Sequence, residues 1–205
     1  MNIKFGAFFN EQFDVLMLNF DNSKLVENII DKDDIKILKN GEEIIAINIF
    51  NVSKSIKLNP GLQSENPNVL KFLEIKLKNI YPLEQVTQFK IGKVLKCEII
   101  EGTHLHNTTV DIGEEVISIV CGAKNIATHL YVVVATVGTY MPNGLIITEG
   151  KLRGYDSHGM ICSAKELGIK DNLFNSEGII ELPITYHSKV GKSFWGEYYE
   201  QKTKI

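Results

Sequence analysis

Lysine and arginine together number 22 in this chain of 205 residues, yet one alone is arginine, Arg153. It stands in Lys151-Leu152-Arg153-Gly154. A guanidinium can grip a phosphate through two parallel hydrogen bonds and can stack on a flat ring, which an ammonium cannot do. The tetrapeptide therefore reads either as a phosphate clamp or as a solvated pair at a strand end. Lys124 offers a further cation. Downstream, Ser157, Met160, Ser163 and Glu166 combine hydrogen-bonding groups with one pliable thioether. Ser163 and Glu166 also fit the S-x-x-E capping box, so they serve a capped turn, a ligand, or both. Asn125 either contacts a ligand or bonds the backbone of its own turn.

Other chemistries find less support. All five histidines follow residue 100, and His104-x-His106 could present two rings on one strand face beside Cys121 or Cys162. No C-x-x-C or H-x₃₋₅-H spacing accompanies them, so no metal or other cofactor is expected. Serine, histidine and acids occur without a G-x-S-x-G, a P-loop or an H-E-x-x-H, which argues against an enzyme. The three cysteines are too few and too scattered for a disulfide scaffold, and read as buried apolar residues. A net charge of -3 argues against binding nucleic acid by bulk positive charge, but not against a local basic surface. No apolar run reaches the roughly 18–20 residues of a membrane span. Polar residues from Asn10 to Asp14 break the N-terminal apolar stretch before it becomes an export signal. A cytoplasmic location without membrane contact is the expectation.

The elements that must position these residues change character along the chain. The N-terminal part alternates strands with one helix. Ile3–Phe9 and Phe13–Phe20 read as strands, and Ile35–Lys39 and Glu42–Phe50 flank Asn40-Gly41, a two-residue hairpin signal. Asn66 or Ser64 caps a helix that opens at Pro67, runs through Leu70, Leu73, Leu77 and Ile80, and ends at Pro82. Residues 81–88 read as a boundary. Short strands then recur at 89–100, 107–112, 116–121, 130–137, 144–148 and 178–182, punctuated by turn residues, which suggests a closed barrel or sandwich. Ser163–Gly168 reads as a helical turn or two.

The stretch from Ile119 to Gly168 is the most specific. Ile119-Val120-Cys121-Gly122-Ala123 with Asn125, Met141-Pro142 with Gly144, Lys151-Leu152-Arg153-Gly154, Ser157, Gly159-Met160, Cys162-Ser163-Ala164 and Glu166-Leu167-Gly168 follow one another at fixed spacings. This series resembles the tRNA-binding domain found free-standing or attached to aminoacyl-tRNA synthetases, as in the methionyl enzyme and the phenylalanyl β subunit. The whole chain resembles the YtpR family, which joins an N-terminal α/β module to this domain. Its length, the segment NIFNVSK and the domain order fit, strongly over 88–195 and less so over 1–86.

The resemblance implies a mainly β protein with α+β character: a small α/β module over 1–86, then an OB-fold β-barrel over 88–205. It implies a non-catalytic protein that recognises folded tRNA by shape and backbone on one barrel face. Lys124, Lys151 and Arg153 would meet phosphates, and Asn125, Ser157, Met160, Ser163 and Glu166 would supply further RNA contacts. The N-terminal module would reach a synthetase or translation factor. A homodimer is expected, because free-standing members dimerise and a valine-rich outer strand would leave apolar surface to cover. Two departures stand out. Of the family's HPxADKL-type motif only Leu105 survives within 99–105, with His104 in the place of a lysine. His129 replaces a glycine ahead of the valine-rich strand. The lost cation and the acidic balance favour a rival reading, an OB-fold assembly module with weak or no tRNA binding.

Overall fold

The structure is a computed structural model that describes residues 4–84 and 86–202. Ile3, expected to open the first strand, lies outside them. The chain divides into two compact units, Met1–Val86 and Thr87–Ile205.

In the first unit, β1 (Gly6–Asn10), β2 (Val15–Asn19), β3 (Asn28–Lys32), β4 (Ile35–Asn40), β5 (Glu43–Phe50) and β6 (Gly61–Leu62) form one antiparallel sheet ordered β3-β4-β5-β2-β1-β6. Period-two alternation sends Ala7, Phe9, Leu16, Leu18, Ile35, Ile37, Ile47 and Ile49 to one face. They pack there with Val69, Leu73 and Leu77 of helix α1 (Pro67–Lys76) and its C-terminal cap. Burying Leu73 completely contributes about 2–3 kcal/mol. Asn66 is the cap and accepts from the Asn68 N–H at 3.0 Å. Ser64, the other candidate, is buried instead and accepts from the Ala7 N–H at 2.9 Å, tying the helix approach to β1. The helix ends at Lys76, before Pro82, with Leu77 as its C-cap.

Two expectations need correcting. The β4–β5 loop is Gly41-Glu42, one residue beyond the expected pair, with positive φ at Gly41 alone. A bulge at Leu38/Lys39 accompanies this shift. Strand β3 was not expected. It is exposed along its whole length, so no hydrophobic alternation marks it, and pairing with β4 makes it a strand.

In the second unit, β7 (Phe89–Ile99), β8 (His106–Asp111), β9 (Val116–Cys121), β10 (Tyr131–Thr136) and β13 (Gly159–Ile161) form a sheet ordered β13-β10-β7-β8-β9. The His158 N–H donates to the Ser118 carbonyl (2.8 Å), and the Val120 N–H donates to Ser157 Oγ (3.1 Å). These bonds bring the two sheet edges together into a nearly closed five-stranded barrel of OB type. Its interior holds Val94, Val110, Ile112, Ile119, Val132, Val134 and Ile161. Val132, Val133 and Val134 are all 0% exposed, so the valine-rich strand offers no free apolar surface. Of the two grounds given for a dimer, the one that rested on this strand is therefore removed.

The span 144–148 is not a strand. Tyr140 and Ile146 form only an isolated bridge. A hairpin of β11 (Gly150–Leu152) and β12 (Tyr155–Ser157) follows instead. The span 178–182 is irregular too, held by the Ile180 N–H to the Cys162 carbonyl (2.9 Å) and the Leu182 N–H to the Tyr131 carbonyl (2.8 Å). After a 3₁₀ turn at Ile184–Lys189, residues 191–193 pair with β7 at Lys90 and Ile91. Helix α2 (Phe194–Lys202) then contributes Phe194, Trp195, Tyr198 and Tyr199 to an aromatic cluster with Phe174 and Tyr186, and the Trp195 ring also meets Phe89 edge-on.

Candidate nucleic-acid interface

Arg153 and Gly154 are the two central residues of the β11–β12 hairpin, with φ of 51° and 90°. Positive φ at both positions is the type I′ pattern, which suits the right-handed twist of the flanking strands. Glycine takes this conformation freely, whereas arginine is strained in it. The strain sets an exposed guanidinium at the tip, without a carboxylate partner among the described residues. Beneath it, Leu152 and Tyr155 pair across the strands and both remain more than 40% exposed. Lys151 pairs with Asp156 on the opposite strand at 3.5 Å, so its charge is partly answered within the hairpin.

The serines and the asparagine hold structure. Ser157 is buried, accepts from the Val120 N–H and donates to the Gly159 carbonyl at 3.4 Å, which helps close the barrel. Ser163 and Glu166 complete a capping box: the Ser163 N–H and hydroxyl reach Glu166 Oε2 at 2.7 and 2.6 Å, and the Glu166 N–H returns to Ser163 Oγ at 3.2 Å. The box orders one turn that ends at Gly168. Asn125 does not bond its own turn. Its amide donates to the Ile179 carbonyl and to Glu181 Oε1, both at 2.9 Å, and accepts from the Ile179 N–H at 3.0 Å. A Cβ on Gly178 would come within 2.0 Å of Asn125 Oδ1, so only glycine permits this clamp. Met160 lies in β13 opposite Ala135, half-buried.

Ser163 and Glu166 line an open cleft of about 470 Å³. Its apolar wall is Cys121, Ala123, Ile161 and Ile179, and its polar rim is Ser163, Lys165, Glu166, Ser176 and Glu177. Asn125 fastens the 178–181 segment that forms one side. Lys124 is exposed in the turn after β9, next to the lining residue Ala123. Gly122, one residue earlier, lies under the His104 ring, so the shortened motif borders the same region. Thr103 stabilises that loop by donating to the Ile100 carbonyl and accepting from the Leu105 N–H, at 2.8 and 3.0 Å. The structure thus gathers Asn125, Ser163 and Glu166 around the cleft. It places Ser157 at the barrel seam, and Lys151 and Arg153 on the hairpin.

His129 explains the glycine expected in its place: its φ is 72°, in the left-handed region, and its N–H donates to the Val94 carbonyl at 2.8 Å. Sequence reasoning passed over Lys165 and the 176–179 wall. It also missed Tyr131, whose ring stacks on exposed His187 at 3.8 Å with Lys93 Nζ 5.5 Å from its centroid. No sequence spacing marks them, because tertiary structure brings them together from separate segments. Burial pushes the Cys121 and Cys162 thiols up, away from the thiolate a nucleophile or metal ligand needs. Among the described residues, no cluster of three or more histidines, cysteines or acids could hold a metal, and no helix is long and apolar enough to cross a membrane.

Residues 89–186 match the family model described as "Putative tRNA binding domain". Over 119 residues the chain is 41% identical to the phenylalanine–tRNA ligase β subunit of Lactobacillus acidophilus, covering 56% of this chain and 15% of that one. It therefore spans only a small part of that relative. Uncharacterized protein MG449 of Mycoplasma genitalium is 34% identical over 177 residues, covering 82% of this chain and 75% of that one. The MG449 homolog of Mycoplasma pneumoniae is also 34% identical, covering 80% and 71%. Among solved structures, a MetRS related protein from Pyrococcus horikoshii aligns at 25% identity and a TM-score of 0.38, covering 53% of this chain and 89% of that one. With relatives 34% identical over about four fifths of the chain, and a second unit that matches the tRNA-binding domain model, the chain belongs to the YtpR family of tRNA-binding-domain proteins.

Proposed function

We propose that this protein is a non-catalytic, cytoplasmic binder of folded tRNA that reads shape and backbone rather than sequence. The carrying observation is the hairpin tip: a strained Arg153, unpaired among the described residues, above exposed Leu152 and Tyr155. A charge kept in an unfavourable conformation, without a carboxylate partner among the described residues, suits an external anion such as a phosphate better than a role within the fold. Lys124 and Lys165 add exposed cations beside the cleft, whose rim also carries Glu166 and Glu177. Asn125, Ser157, Ser163 and Glu166 serve this site as positioning residues, because their polar groups are already engaged. Lys151 contributes less than Arg153, since tRNA must compete with Asp156 for it.

The test is filter binding of total tRNA across a salt series, with heat-unfolded tRNA beside it. Binding that falls as salt rises, and that prefers the folded form, supports the reading. No binding at low salt overturns it and favours the assembly module.

A further inference from the structure

The N-terminal sheet stops at an open edge. All five residues of β3 are exposed, among them Ile29 (52%) and Ile30 (37%), and Leu25 and Val26 just ahead are exposed as well. Proteins usually blunt such an edge with charge, proline or a bulge, because its unpaired backbone groups are a template for another strand. Here the charges sit at one end, and Asp31 is already held by Lys36 at 2.7 Å. A row of apolar residues crosses the core face in register, Ala7, Leu18, Ile47, Ile37 and Ile30. The first four are buried, and the row breaks off at Ile30.

The backbone fixes which groups face outward. The Phe50 N–H donates to the Asp34 carbonyl at 2.8 Å, so Asp34 turns toward β5. Alternation then turns Ile35, Ile37 and Lys39 toward β3, where they oppose Lys32, Ile30 and Asn28. Ile29 and Asp31 are left with their N–H and C=O groups directed out of the sheet.

We infer that this edge pairs with the same edge of a second copy of the chain, antiparallel, with Ile30 facing Ile30 of the copy on a twofold axis. Ile29 then exchanges both backbone hydrogen bonds with Asp31 of the copy, and the reverse pair does the same. Asn28 lies opposite Lys32 of the copy, and the apolar row continues from one sheet into the other. The edge is complementary to itself in this register. A shift of two residues one way sets Asp31 against Asp31, and the other way sets it against Glu27. In the chosen register Asp31 keeps its own Lys36, and the Glu27 carboxylate accepts from the Gly41 N–H at 2.8 Å, turned back to its own loop. This surface lies outside the tRNA-binding barrel and stands independently of that reading.

Sedimentation of the full chain over a dilution series should give twice the 23.1 kDa chain mass at the upper end. Ile30→Lys should return the monomer mass with an unchanged circular dichroism spectrum, and its melting temperature should lose the dependence on protein concentration that the wild-type dimer shows. Ile30→Cys should form a disulfide-linked dimer on mild oxidation, since a non-hydrogen-bonded antiparallel pair sets its Cα atoms about 4.5 Å apart, within disulfide range. Ile29→Cys, facing Asp31 of the copy, should not, and the oxidised wild type reports any link through Cys97. A wild type that stays monomeric throughout overturns the inference. So does a dimer that Ile30→Lys leaves intact, or cross-linking as efficient at Ile29 as at Ile30.

Discussion

Arg153→Gly separates what this residue does for the fold from what it does for a ligand. An L-residue in the left-handed region costs roughly 1–2 kcal/mol, and glycine returns about 0.5–1 kcal/mol of that as added freedom of the unfolded chain. The net expectation is a gain of about 0.5–1 kcal/mol, or an upward shift of roughly 2–4 °C in melting temperature for a unit of this size. Binding should move the other way. Losing a charge-assisted contact of about 1.5–3 kcal/mol weakens tRNA binding roughly 10- to 150-fold. The slope of log affinity against log salt should shrink by about 0.7–0.9 for each phosphate contact removed. Arg153→Asn, which tolerates positive φ, should bind as weakly as the glycine variant, and Arg153→Lys should keep part of the salt slope but lose the fork geometry. Differential scanning calorimetry and filter binding on the same preparations read both quantities. A glycine variant that binds tRNA with wild-type affinity and slope refutes the site. One that melts several degrees lower shows that the guanidinium holds the fold.

His129→Gly should raise the stability of the second unit by up to about 1 kcal/mol, read by thermal melting, because its φ of 72° suits glycine. A lower melting temperature would mean that the imidazole makes a contact worth more than the strain. His104→Lys should strengthen tRNA binding and steepen its salt dependence, since it restores a cation over Gly122; unchanged binding would place this loop outside the interface. Asp171 gives an acid-sensitive step. Burial opposes its charge, but hydrogen bonds from Lys202 (2.7 Å) and Tyr198 (2.5 Å) hold the carboxyl below its ordinary 3.8. A carboxyl depressed in the folded state stabilises above its unfolded value, and that contribution disappears as pH falls through the folded one. Emission from Trp195, the single tryptophan, should report loosening of α2 in that acid range, and Asp171→Asn should remove the step. An unaltered acid transition in the variant would count against this assignment.

The sequence alone determined much of the local structure. Alternation in Ile35–Lys39 and Glu43–Phe50 can satisfy a one-sided sheet in only one way, and Asn66-Pro67 opens a helix because the cap and the fixed proline φ act within a single turn. Strand β9 fell where its apolar residues put it, and Ser163 with Glu166 closed the box that their spacing allows. These are short-range effects, decided by residues a few positions apart. Tertiary structure decided the rest. Strand β3 has no hydrophobic face, so only pairing with β4 makes it a strand. Helix α2 contains Gly196 and a run of aromatics with weak helical preference, and it forms against Phe174 and Tyr186 rather than by propensity. Arg153 showed its strain only once the β11–β12 register put it at the centre of the turn. The role of Asn125 was invisible because its partners at 179–181 lie 54 and 56 residues away. Sequence spacing cannot encode a hydrogen bond across that distance: folding the barrel brings the two segments together, and Gly178 leaves the space for them to touch.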